Sequence, residues 1–169
     1  MRIGLQGPNH PVTKERAQKR MLSALETKIP PPVLLLILSA IAWALPGTRY
    51  SLAQVATGAP VLLLGLGLNA WPKRLFRNAA TTVNPMQPER TSALLVSGLY
   101  RYSRNPMYLG YAVALLGWVL CCGQPMGLLF VVFFVGYITV FQIVPEERQL
   151  SALFPEEFAA YRRTVRRWL

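Results

Sequence analysis

Two short stretches of this chain hold most of the residues able to do chemistry. The first runs Gly98-Leu99-Tyr100-Arg101-Tyr102-Ser103-Arg104-Asn105-Pro106-Met107-Tyr108-Leu109-Gly110. The second holds Gln142, Glu146, Glu147 and Arg148. Between them lies an apolar stretch long enough to cross a bilayer and return. An antiparallel helical hairpin brings its two feet together, so Asn105 and Tyr108 are expected near Gln142 and Glu146. A carboxylate at the edge of hydrocarbon needs a partner, because an unpaired charge there is costly. Arg104 or Arg101 could supply it. Such a cluster could hold and orient a charged ligand. The plainer reading is an interfacial belt of aromatic rings and snorkelling arginines.

The elements that must position these residues follow from the charge pattern. The chain has 169 residues, 53% hydrophobic and only 15% charged, where soluble domains carry about 25%. Residues 29–48, 50–72 and 105–145 contain no Lys, Arg, Asp or Glu. A spanning helix needs roughly 20 mostly apolar residues, so the first two gaps fit one span each and the third fits two. The expected fold is all-α, an integral membrane bundle of about four transmembrane helices: 32–45, 52–70, 107–121 and 126–144. The first could begin at Ile29, with its proline run at the interface, since proline is tolerated in a first helical turn. Gly123, Gln124 and Pro125 mark the last turn. Pro60 should bend the second span. Gly58, Gly65 and Gly67 either permit close helix contact or bend the helix locally.

Charge also orients the chain. Of 18 Lys and Arg, only Arg49 falls in the two short loops expected on one side. The rest lie opposite, and an excess of Lys and Arg marks the cytoplasmic side. A multi-pass inner-membrane protein with both termini cytoplasmic is expected. The net charge of +11 then suits anionic lipid head groups, and no nucleic-acid motif is present. Cys121 and Cys122 are adjacent, which disfavours pairing. With one His and no Asp, no metal site is expected. The parts are a tail and basic amphipathic helix over 1–28, a first hairpin over 29–70, a connector over 71–106, a second hairpin over 107–144 and a C-terminal segment over 145–169. Met21 is an alternative start. A last helix is expected from Pro155 to about Trp168, with Phe154, Phe158, Tyr161, Val165 and Trp168 on one face and arginines on the other. It reads as a surface anchor or as a lid over a site.

The stretch L-V-S-G-L-Y-R-Y-S-R-N-P-M-Y-L-G at 95–110, followed by a hairpin and E-E-R-x-L-x-x-x-F-x-E-E-F-x-x-Y at 146–161, resembles the isoprenylcysteine carboxyl methyltransferase and phospholipid methyltransferase group. Those enzymes show R-H-P-x-Y-x-G and a later G-E-E-Y-x-x-Y. The resemblance covers residues 84–165 and implies a methyltransferase moving a methyl group from S-adenosylmethionine to a lipophilic acceptor, isoprenylcysteine-like or phospholipid-like. By position, the donor would be held around Ser92, Ala93, Leu94 and Leu95, and by Tyr100, Asn105, Pro106, Met107, Tyr108 and Glu146. Tyr108, Glu146 and Arg104 would carry the chemistry: a carboxylate and tyrosine faces suit a sulfonium cation, and an arginine suits the donor's carboxylate. Gln142 and Arg148 would face the acceptor.

Four positions depart from the group's pattern, one of them Phe158 in place of a tyrosine. Asn105 replaces the usual His and cannot shuttle protons near neutral pH. Gln142 replaces an arginine, which counts against carboxyl methylation. Pro155 replaces a glycine. Two other readings remain open: an NADPH-dependent sterol or enone reductase, and a non-catalytic membrane scaffold.

Overall fold

The computed structural model describes residues 29–47, 50–78, 94 and 96–169, and for 73–78 the backbone alone. The basic helix expected before residue 29 and most of the connector lie outside the described residues. Among the described residues the fold is all helical: α1 Pro31–Ala44, α2 Leu52–Asn78, a 3₁₀ turn Gly98–Arg101, α3 Pro106–Cys122, α4 Gly127–Ile138, a π segment Thr139–Ile143, α5 Val144–Leu153 and α6 Pro155–Thr164.

The helix boundaries have local causes. α1 opens on Pro31, where a missing N–H leaves no bond unmade. At the start of α2, Ser51 Oγ accepts from Gln54 N at 3.2 Å, and Gln54 Oε1 accepts from Ser51 N at 3.0 Å, a reciprocal capping box. α2 continues through Pro60 and Pro72 to Asn78, eight residues beyond the expected end at Ala70. α3 stops where Gly123 adopts a left-handed conformation, φ 63°. α4, the π segment and α5 form one continuous helical stretch.

α3 is the centre of the bundle. α2 lies along one side of it, and α1 packs on α3 and α4 rather than on its sequence neighbour α2. The 29–70 hairpin is therefore two helices flanking a third. The α2–α3 contact is antiparallel and close. A side chain at Gly65 would collide with the backbone of Ala114, and one at Gly117 with the backbone of Leu62. Small residues let two backbones approach in this way. Gly67 faces open space. Asn69, buried on the same face, donates from Nδ2 to the Met107 carbonyl at 3.0 Å, and Trp118 Nε1 donates to the Ser39 carbonyl at 2.9 Å.

The core reflects this centrality. Tyr108, Ala112, Leu115 and Val119 of α3 are buried with Leu34, Leu38, Phe134 and Ile138. The outer faces are apolar too: Leu36, Ile37, Leu63, Leu64, Leu128, Val132 and Phe133 are exposed. An apolar exterior of this extent marks a lipid or protein contact surface. Two stretches are long and apolar enough to cross a membrane, Leu52–Pro72 with 21 residues and Gly127–Leu153 with 27. α1 and α3 are apolar but shorter, at 14 and 17 residues.

Both ends of the bundle are tied. At one end Gln124 Nε2 donates to the Pro46 carbonyl at 2.8 Å. At the other, Gln142 Nε2 donates to the Ile29 carbonyl at 3.1 Å. The two polar stretches meet at this second end.

Candidate functional site

Tyr108 sits in the first turn of α3 and Glu146 in the first turn of α5. The Tyr108 hydroxyl donates to Glu146 Oε1, so the two feet meet as the hairpin geometry requires. The π segment between α4 and α5 adds a residue to one turn, which rotates α5 by about 100° relative to α4. Gln142 lies inside this segment, 2% exposed, with its amide bonded to Ile29. Glu146, one turn on, reaches α3 instead.

The expected ion pair between Glu146 and Arg104 or Arg101 is replaced by another arrangement. Glu147, the neighbouring carboxylate, is the one paired with Arg104, at 3.0 Å from Nη1 to Oε1. It also takes both arms of Arg167, at 3.1 Å from Nε and 2.7 Å from Nη2. The hydrogen bonds to Glu147 hold Arg167 above the usual arginine pKa. Burial outweighs Glu147 at Arg104 and lowers it. Burial of an arginine is tolerable only with a carboxylate close by.

The last helix docks on the motif through a second small core of Tyr100, Phe158 and Tyr161, packed with Leu94, Leu150, Phe154 and Val165. Tyr161 OH donates to the Tyr100 carbonyl at 2.6 Å. Burial pushes Tyr161 up to about 12 and raises Tyr100 as well. Gly98, at φ 62°, opens the 3₁₀ turn that presents Tyr100; a side chain would be strained there. α6 starts at Pro155 as its sequence requires but ends at Thr164, short of Trp168. The chain then runs back across the motif. Arg104 N donates to the Arg166 carbonyl at 3.0 Å, Asn105 Nδ2 to the Arg167 carbonyl at 2.9 Å, and Trp168 Nε1 to Thr139 Oγ1 at 3.1 Å.

A cleft of about 760 Å³ opens between the segment around Leu94 and Val96 and α6, with Arg101, Glu157 and Tyr161 on its walls. Ligand pockets typically enclose about 300–1,000 Å³. A second groove, about 490 Å³ and nearly all apolar, lies between α1 and α2, with Ala114 and Trp118 of α3 as its floor.

The structure thus brings together Tyr100, Arg104, Asn105, Pro106, Met107, Tyr108 and Glu146 at one end of the bundle. Leu94 lines the cleft, while Ser92, Ala93 and Leu95 lie outside the described residues. Pro106 is buried at the start of α3, and Met107 gives its carbonyl to Asn69. Asn105 faces residues 166–168 rather than open space, and Arg148 is exposed. Nothing in the sequence pattern singled out Arg167 or Asn69, while Glu147 stood only as a member of the second polar stretch and Trp168 only on the apolar face of the last helix. The readable signal was the surplus of adjacent charges, Glu146-Glu147 against Arg166-Arg167; which carboxylate takes which partner depends on helix rotation. No group of His, Cys, Asp and Glu suited to a metal occurs among the described residues.

The apolar helical bundle gathers its buried charges at one end, and two of its helical stretches are long and apolar enough to cross a membrane. The chain belongs to the phospholipid methyltransferase family, whose model matches residues 53–157. That membership makes it a membrane methyltransferase by class. It is 41% identical over 63 residues to an uncharacterized protein of Haemophilus influenzae, an alignment covering 37% of this chain and all of that one. No solved structure matches.

Proposed function

We propose that this protein transfers a methyl group from S-adenosylmethionine to a lipophilic acceptor, phospholipid-like or isoprenylcysteine-like, at the cytoplasmic face of an inner membrane. The observation that carries the reading is the Tyr108–Glu146 hydrogen bond. It joins the two motif stretches, and a cleft of ligand size opens at the same end of the bundle, walled by Arg101 and Tyr161 rather than by Tyr108 or Glu146.

The residues fit such a donor. The cleft walls carry a cation, Arg101, and an anion, Glu157, which match the amino-acid tail of S-adenosylmethionine. Arg104, whose buried Nε has no hydrogen-bond partner, lies behind the residues that line the cleft. When bound, S-adenosylmethionine supplies an electrophilic methyl group on a cationic sulfur. Glu146 and the ring of Tyr108 favour that cation and fix its direction. The surrounding helices keep water from the transfer path. Most of the protein's contribution is alignment of donor and acceptor.

The acceptor enters from the side. The apolar groove between α1 and α2 has α3 as its floor, and α3 also carries Tyr108. From Ala114 to Tyr108 is six residues, about 9 Å along a helix. An acyl or prenyl chain in the groove would place its polar end at the level of Glu146. Among acceptors, carboxylates are disfavoured. Position 142 holds an amide, and that amide is bonded to Ile29.

In this reading all four apolar helices span, with α1 and α3 completed by flanking residues, and both termini are cytoplasmic. Those sides place the Tyr108–Glu146 end where a soluble donor is available. Calorimetry of detergent-purified protein with S-adenosylmethionine is the test, with NADPH as control. The wild type should bind the first and not the second, and Glu146→Ala should abolish the heat. No heat from the wild type, or full affinity in Glu146→Ala, would sink the reading.

A further inference from the structure

Two adjacent carboxylates at the start of α5 have divided their partners. Glu146 accepts from Tyr108. Glu147, 9% exposed, gathers Arg104 and both arms of Arg167. Arg167 belongs to the segment that leaves α6 at Thr164 and crosses back over the motif. Three consecutive residues of that segment, 166–168, bond to Arg104, Asn105, Glu147 and Thr139. The residue at the histidine position of the motif, Asn105, is thus engaged by a backbone carbonyl.

We propose that Glu147 is a positioning residue, which holds Arg104 and Arg167 together and so leaves Glu146 to Tyr108 and to the methyl donor. The inference rests on the proposed donor site. Arg104 has a side chain only 10% exposed and needs a carboxylate near it. With Glu147 neutralised, the adjacent carboxylate in the chain is Glu146. Arg104 would draw it away from Tyr108, and the crossing segment would lose its strongest tie, a forked guanidinium–carboxylate pair.

The test uses the full chain in detergent with Glu147→Gln, Arg167→Ala and Arg167→Lys. Amide hydrogen exchange across residues 103–109 reads the tie directly, because the Arg104 N–H is bonded to the Arg166 carbonyl. Glu147→Gln and Arg167→Ala should both speed this exchange. They should also weaken S-adenosylmethionine binding by on the order of 10- to 100-fold, the scale of a small misplacement of site groups. Arg167→Lys keeps the charge without the fork and should fall between.

A double-mutant cycle of Glu147→Gln with Tyr108→Phe separates positioning from general support. If Glu147 acts through the Tyr108–Glu146 pair, the two losses are not additive. Faster exchange with unchanged affinity, or additive losses, overturns the proposal. If the wild type binds no S-adenosylmethionine, it is the functional reading that fails. The same cycle is then read in thermal unfolding without ligand: coupling supports positioning and additivity overturns it. Should Glu147→Gln not fold, Arg167→Lys takes its place in the cycle.

Discussion

The Tyr108 hydroxyl and the Glu146 carboxylate meet across the feet of α3 and α5, though 38 residues of chain separate them. Tyr108→Phe removes the donor and leaves a buried carboxylate one hydrogen bond short. We expect a loss of about 1–3 kcal/mol in stability and weaker donor binding, with the helical content unchanged. Chemical unfolding and calorimetry on the same preparation check both.

Gly65 lies against Ala114, whereas Gly67 of the same helix faces open space. Gly65→Val must push α2 off α3 and should destabilise the bundle by about 3 kcal/mol, the upper range for overpacking. Gly67→Val should change stability by well under about 1 kcal/mol. Thermal unfolding in one detergent compares the pair; equal effects would contradict the α2–α3 register.

Gln142 donates its side-chain amide to the Ile29 carbonyl. Gln142→Leu should lower stability by about 1 kcal/mol while leaving donor affinity within roughly twofold of the wild type. A large rise in the acceptor KM would instead restore the acceptor-facing role expected from the motif.

Tyr161 has its acidity lowered by burial and donates to the Tyr100 carbonyl. Its pKa in the folded state, about 12, lies above the ordinary tyrosine value of 10.0. The neutral form is the one the fold favours. Its contribution is therefore fully present below pH 10 and is lost as pH rises toward 12. The unfolding midpoint should fall across that window, and Tyr161→Phe should flatten part of the fall while lowering the midpoint at neutral pH.

The membrane class, the four apolar helices and the meeting of two motif stretches all follow from residue types. Long uncharged runs can be satisfied only as helices in hydrocarbon, and a tight turn at Gly123 forces the feet of the second hairpin together. Those rules do not contain rotation. The π segment Thr139–Ile143 turns Gln142 to Ile29 and Glu146 to Tyr108, and no propensity scale marks the extra residue. Nor does periodicity show that α6 ends at Thr164, since Val165 and Trp168 continue the helical spacing. Packing of Trp168 against Thr139 and the pull of Glu147 on Arg167 decide that instead. Chain order does not show which helix fills the glycine face of α2: α3 does, and α1 makes its closest packing with α3 and α4. The sequence determined which groups would gather at one end of the bundle; the tertiary structure decided their pairings, because a buried charge takes whichever partner the helix rotation brings within reach.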